Sequence, residues 1–441
     1  MKKIFSIFTV IALISLSLGA CIACTPREMT DYVAQLKFDM NSETAKLETT
    51  VTAYVDGDTT HFAVPTSIVK TGVLKARYLA INTPESTGKI EDYGKKASNF
   101  TKEKLKSAIS IYIESDTSVW ETDSTGGRYL TWVWYKTDEN SEYRNLNLEI
   151  LQNGLAIASS TANNRYGDIC VKALEQAKAN KILVHSGKPD PDMYHGTVQE
   201  ITLKELRSNL KEYEGVKVAV EGVVAREFGN SVYIQEYDEE TDMYFGMGCY
   251  YGFYKGPMLD IFSVGNRIRM VGTLQFYENG GFYQISGLEY DEYPEDDDAE
   301  MVRFISANHE VTYPVTSIEQ FTSGKVEIIT DSGKQSYDYA EMALNTTISM
   351  NNLQVVSVRA TDNEESSADG ALTITCKFGD KTIDIRTQRR FTDDGGNEVT
   401  ESYFEGKIID VKGLVEYFKY SGAEKGQYQI KVVAFKDITI K

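Results

Sequence analysis

Cysteine and histidine are scarce in this chain, at five and four residues among 441, and proline and tryptophan are nearly as thin at 8 and 3. These shortages exclude chemistry. No Cys-x-x-Cys pair occurs, and His61, His185, His195 and His309 are scattered, so a zinc site with ordinary ligand spacing has nothing to build on. The same scatter gives no Ser-His-Asp arrangement. Cys170, Cys249 and Cys376 fall one in each later region, whereas an exported disulfide framework pairs cysteines within a domain; they read as isolated buried thiols. Long apolar runs are missing too, apart from Ile4 to Leu18, which is too short to span a bilayer comfortably as a permanent helix. With Lys2-Lys3 before it, that run reads as an export address, residues 1–20 forming a signal peptide.

Leu18-Gly19-Ala20-Cys21 resembles a bacterial lipoprotein processing site. The resemblance implies a diacylglyceryl group on Cys21 and a mature chain that starts there, lipid-anchored at the bacterial cell surface. Cys24 is the rival position, although Cys21 three residues before it fits poorly, and ordinary secretion with cleavage near Ala20 is the alternative. One lipid modification attaches a protein weakly, so a second anchoring signal is expected. Residues 21–45 are polar and read as a tether.

What the chain has in quantity is aromatic: 28 tyrosines and 18 phenylalanines, which suit pleated, half-buried surfaces and favour β-rich architecture. At 441 residues it is too long for one core, so several domains are expected. The net charge of −19 is unevenly spread. Residues 46–188 carry 18 basic and 17 acidic side chains, whereas 189–441 carry 24 and 44. Phosphate affinity is strongly electrostatic, so any nucleic-acid chemistry would fall to the front segment, and the rear is a poor general polyanion clamp.

Residues 46–82 alternate apolar and polar with β-branched content and read as strands, chiefly Thr49 to Tyr54 and Val73 to Ile81. Tyr93 to Ala108 has helical spacing; Ile111 to Glu114 and Tyr129 to Tyr135 read as strands; Leu146 to Gly154 and Ile169 to Asn180 read as helices. Lys188-Pro189-Asp190-Pro191-Asp192 is a linker by composition. Beyond it lies a repeat: Gly265, Ile268, Gly272, Leu274, Phe276 and Tyr277 recur 141 residues later as Gly406, Ile409, Gly413, Val415, Tyr417 and Phe418. Tyr283-Gln284-Ile285 recurs as Tyr428-Gln429-Ile430, and Val218 to Val224 matches Gln354 to Val358 loosely. The two copies, 196–290 and 303–441, resemble OB-folds separated by the acidic stretch 291–300. Their aromatics, Tyr233, Tyr244, Phe245, Tyr250, Tyr251, Phe276 and Tyr283, read as core and surface filler in preference to a base-stacking platform, because the acidity would repel a phosphate backbone.

Three short segments of the front region concentrate charge in an ordered way: Val55-Asp56-Gly57-Asp58-Thr59, Arg77 through Ile81-Asn82-Thr83-Pro84-Glu85, and Thr122-Asp123-Ser124-Thr125-Gly126-Gly127-Arg128. Each alone reads as a turn or a solvated face. Together with Tyr93-Gly94-Lys95-Lys96-Ala97-Ser98-Asn99-Phe100-Thr101 and Gly154-Leu155-Ala156, they resemble the staphylococcal nuclease family over residues 46–188, about a third of the chain. The fold class implied is mainly β with α: a staphylococcal-nuclease-like OB barrel carrying helices, followed by two OB-like β-barrel domains.

The resemblance implies calcium-dependent hydrolysis of DNA and RNA to 3′-phosphate products. It implies Asp58 as a calcium ligand, with Asn82, and Thr83 through its backbone carbonyl, completing the set; hard oxygens suit this cation. It implies Glu85 orienting or deprotonating the attacking water, Arg77 and Arg128 gripping phosphate oxygens, and Asp56 shaping the metal shell from outside. Asn82 stands where the family usually has a second aspartate, which removes one negative charge and points to calcium affinity of about 10⁻⁴–10⁻³ M. Ser124-Thr125 replace a typical Lys-Tyr pair, and Ser159-Ser160 stand where tyrosines follow Gly154-Leu155-Ala156. The rival reading is a non-catalytic nucleic-acid or surface-binding lipoprotein that keeps the fold as scaffold.

Overall fold

The computed structural model describes residues 29–86, 90–252, 258–289, 298–330, 333–362, 368–420 and 423–441. The expected signal peptide, Cys21, Cys24 and most of the acidic stretch lie outside the described residues. The chain is mostly β, 39% strand with 17% helix, with a small barrel in the nuclease-like region and two further barrel-like domains. It forms two compact units, the first of residues 1–50, 75–83 and 100–188, the second of 51–74, 84–99 and 189–441. The front segment expected as one domain over 46–188 therefore contributes to both.

In the first unit the strand Tyr129–Lys136 pairs antiparallel with Ser110–Glu114, which pairs with Lys46–Thr49, and parallel with Val73–Tyr78. This strand is buried on both faces, with Trp132 and Trp134 on one and Val133 and Tyr135 on the other. Two helices cover the unit. Leu146–Gln152 starts on Asn145, whose side chain caps Leu148 N, and ends before Gly154, where φ is +67° and an added Cβ would meet Ile182 O at 2.6 Å. Gly167–Ala179 packs behind it.

Residues 29–45, expected within the tether, are instead packed chain. Asp31 caps the helix Tyr32–Gln35, Gln152 accepts from Tyr32 N at 2.7 Å, and Phe38 stacks on Trp134 with centroids 4.8 Å apart. Aromatic and amide side chains in this stretch outweigh its polar average.

In the second unit the repeat emerges as two closed five-stranded barrels of the same order. The first runs Lys217–Phe228, Ser231–Asp238, Met243–Tyr250, Phe282–Ser286, Arg267–Tyr277 and closes back on its first strand. The second runs Thr347–Ala360, Leu372–Phe378, Lys381–Thr387, Gln427–Val432, Ile408–Phe418 and closes likewise. The 141-residue offset holds through the whole of Arg267–Tyr277 and Ile408–Phe418.

The loose match of Val218–Val224 with Gln354–Val358 is displaced, however. Val218 pairs with Gly272 as Ile348 pairs with Gly413, so Ile348 is the counterpart of Val218. An irregularity between Met350 and Leu353, with Asn352 at φ +58°, disguised the alignment. One contiguous apolar cluster threads both barrels, from Leu203 through Met270 and Ile348 to Ile438. Cys249 and Cys376 are buried in it and Cys170 in the first unit, all three as free thiols.

The Pro-Asp linker is docked as well. Asp190, 3% exposed, accepts from Tyr93 N at 3.2 Å and bonds Lys96 Nζ, while Tyr93 OH donates to Pro189 O at 3.2 Å. Burial alone would raise the Asp190 carboxyl, but the bonds and charge of Lys96 outweigh it and hold it below the ordinary range.

Candidate active site

Arg77 lies on the strand Val73–Tyr78, which runs parallel to Tyr129–Lys136 with Ala76 opposite Tyr129 and Arg77 opposite Leu130. Arg128 lies in the bend just before Tyr129–Lys136, two residues ahead of Leu130.

Asp123 anchors Arg128. Its Oδ1 accepts from Thr125 N at 3.1 Å and Thr125 Oγ1 at 2.6 Å, and its Oδ2 accepts from Arg128 Nε at 2.8 Å. Gly126, at φ +70°, turns the chain between them. Burial pushes the Asp123 carboxyl up, but the Thr125 and Arg128 hydrogen bonds and the Arg128 charge outweigh it, and the group sits below the usual carboxylate range. The bond uses Nε and leaves the two terminal nitrogens as the outer fork, the geometry that grips two phosphate oxygens.

Asn82 pairs with Ile157 in a short antiparallel ladder, which places the segment after Gly154-Leu155-Ala156 beside the candidate site. Asn82 Oδ1 accepts a hydrogen bond from Arg77 Nη2. Two residues to which the family resemblance gives separate roles, cation and phosphate, thus touch each other. Thr83 follows, 3% exposed.

In the second unit, Asp56 and Asp58 occupy the turn between Val51–Tyr54 and Thr59–Ala63. Asp56 Oδ1 accepts from Asp58 N at 3.1 Å, and Asp58 Oδ1 accepts from Thr59 Oγ1 at 3.1 Å. Asp56 thus shapes the turn, and Asp58 is fully buried. Glu85 is exposed and fixed through its main chain: its N–H donates to Glu91 Oε2 at 3.1 Å and its carbonyl accepts from Glu91 N at 2.9 Å. Gly94 at the helix start allows this, because an added Cβ would lie 2.1 Å from Glu85 O.

Sequence reasoning missed Glu91, Asp123 and Asp190 as the residues that hold Glu85, Arg128 and the helix start. For Asp123 a signal existed: an aspartate two before a threonine in a Gly-rich turn is an Asx-type anchor. For Glu91 and Asp190 nothing local marks the partner.

Asp58 in the second unit, and Asn82 and the Thr83 carbonyl in the first, each offer a hard oxygen of the kind calcium takes. Among the described residues no group of three or more His, Cys, Asp or Glu side chains gathers into a metal cluster.

No curated protein matches the chain. The family described as staphylococcal nuclease homologue matches residues 75–184, a span that contains Arg77, Asn82, Thr83, Glu85 and Arg128 but not Asp58. Over this span the chain is therefore similar to a staphylococcal nuclease homologue domain, and two further barrels follow it in sequence.

Proposed function

We propose that this protein is a surface-tethered, calcium-dependent nuclease that hydrolyses phosphodiester bonds of DNA or RNA and leaves 3′-phosphate ends. The observation that supports it most is the anchoring of Arg128 by Asp123 just ahead of the strand that pairs with the strand of Arg77. Two guanidinium forks can hold the non-bridging oxygens of a phosphodiester and stabilise the charge that builds on them. Glu85 orients water and accepts its proton as the water oxygen bonds phosphorus and the bond to the 5′-oxygen breaks. Asp58, Asn82 and the Thr83 carbonyl would hold calcium, which when bound supplies positive charge against the phosphate. Cys21 carries the lipid anchor in this reading.

The test is hydrolysis of single-stranded DNA by the full chain with calcium titrated, a chelator control, and Glu85→Gln. Cleavage that needs calcium, gives 3′-phosphate ends and disappears in Glu85→Gln supports the reading; no cleavage at about 10 mM calcium, well above the weak-site range, overturns it. One contact favours the second reading, a scaffold that binds without cleaving: Arg77 spends a donor on Asn82. In that case Asn82→Asp gains neither calcium binding nor cleavage.

A further inference from the structure

The hairpin Arg267–Tyr277/Phe282–Ser286 of the first rear barrel reaches the loops that carry Asp58 and Glu85. Gln275 Nε2 donates to Ser86 O at 3.3 Å, and Asn279 Nδ2 donates to Tyr54 O at 3.4 Å. Ser86 follows Glu85, and Tyr54 precedes the Asp56-Gly57-Asp58 turn. Tyr277 stands midway between the two bracing residues and on the same strand face as Gln275, with 41% of its surface exposed. Phe276, on the other face, is equally exposed.

The equivalent hairpin of the second barrel meets the tip of the first. A Cβ on Gly281 would lie 3.1 Å from Lys419 Cδ and 3.2 Å from Tyr417 Cε1, and Lys419 Nζ donates to Glu278 O at 3.5 Å. Among the described residues Lys419 pairs with no carboxylate, although the surrounding barrels are strongly acidic. Exposed Phe418 and Tyr420 flank it, their rings 4.7 Å apart.

We propose that these two hairpin ends form the binding surface for a single-stranded polynucleotide running to the loops that carry Asp58 and Glu85, Tyr277 stacking on a base and Lys419 holding a phosphate. The inference rests on the nuclease reading for what happens to the strand, but not for its binding. Three observations choose this occupant. Exposed rings beside an ammonium that has no carboxylate partner among the described residues match a chain of bases and phosphates. The patch is continuous, through Gln275 and Asn279, with the loops that carry Asp58 and Glu85. The stretch Ile157 to Thr161 after Gly154-Leu155-Ala156 in the nuclease-like span holds no aromatic residue. The acidic remainder of the barrels confines a polyanion to this strip. The expectation that the rear aromatics are only filler holds for Phe245, which is buried, and is replaced here for Phe276 and its neighbour Tyr277.

The experiment measures binding of a fluorescent single-stranded oligonucleotide of about 15 bases to the full chain, with Glu85→Gln as the non-cleaving background. Tyr277→Ala should weaken binding about tenfold, the usual loss of one stacked base, and Tyr277→Trp should restore it. Lys419→Ala should weaken binding and lower the slope of log affinity against log salt by about one. Phe378→Ala, an exposed ring elsewhere in the second barrel, is the control and should change nothing. Unchanged affinity in Tyr277→Ala and Lys419→Ala overturns the proposal, as does a loss in Tyr277→Ala that Tyr277→Trp fails to rescue. Failure of the nuclease reading shows separately, as a wild-type chain that binds the strand and does not cut it.

Discussion

The first unit and the inserted segments of the second treat carboxylates in opposite ways. In the first unit Glu114 is fully buried and accepts from Trp134 Nε1 at 2.8 Å, Tyr166 OH at 3.2 Å and Thr44 Oγ1 at 2.5 Å. Glu149, 5% exposed, accepts from Tyr135 OH and ion-pairs with Lys104 and Arg144. These side chains are saturated and fix packing. In the second unit Glu85 is exposed, and its main chain is held by Glu91, Gly94 and the Gln275 brace on Ser86. A buried carboxylate saturated by donors fixes packing; an exposed one on a fixed main chain is accessible to something that arrives.

The sharpest way to break this contrast is to change each carboxylate in turn. Glu85→Gln should cost on the order of 10²–10⁴ in kcat and leave the unfolding midpoint in denaturant nearly unchanged. Arg77→Ala and Arg128→Ala should each cost about 10²–10³ in kcat/KM, because each removes a donor from the developing phosphate charge. Glu114→Ala should do the reverse: about 3 kcal/mol lost in urea unfolding, from stranding buried donors, with kcat of the folded fraction retained. Equal loss of stability in Glu85→Gln and Glu114→Ala would erase the distinction.

Gly94→Ala tests the backbone grip on Glu85. Its methyl must move the Glu85 carbonyl, so it should lower kcat by about tenfold and cost about 1–3 kcal/mol. The smallest effect belongs to Asp190. Because its folded-state carboxyl is held low, its stabilisation is present above the unfolded value of about 4 and fades as pH falls through the lower folded value. Asp190→Asn should therefore lower Tm by a few degrees at pH 7, and the gap to wild type should shrink toward pH 3.

Much of the secondary structure was legible because its signals are local. The expected helix Tyr93 to Ala108 is Gly94–Lys106, and the strand Tyr129 to Tyr135 is Tyr129–Lys136. The 141-residue repeat was legible because two barrels of one topology need the same apolar and glycine positions in the same strand. Residues 29–45 and the Pro-Asp linker were misread as free chain because polar composition records solvation on average. It does not record that Phe38 finds Trp134 or that Asp190 finds Tyr93 N and Lys96.

By itself the sequence determined which residue types this protein can bring to chemistry: two arginines, Asp58, Asn82 and Glu85 in family order, and no zinc or nucleophilic set to compete with them. Only the tertiary structure decided how they are held. Asp123 on Arg128, Arg77 on Asn82, Glu91 and Gly94 around Glu85, and Gln275 on Ser86, from far along the chain, are contacts set by sheet register and barrel packing. Hydrogen bonds and close approaches of this kind depend on distances in space that composition, periodicity and spacing do not encode.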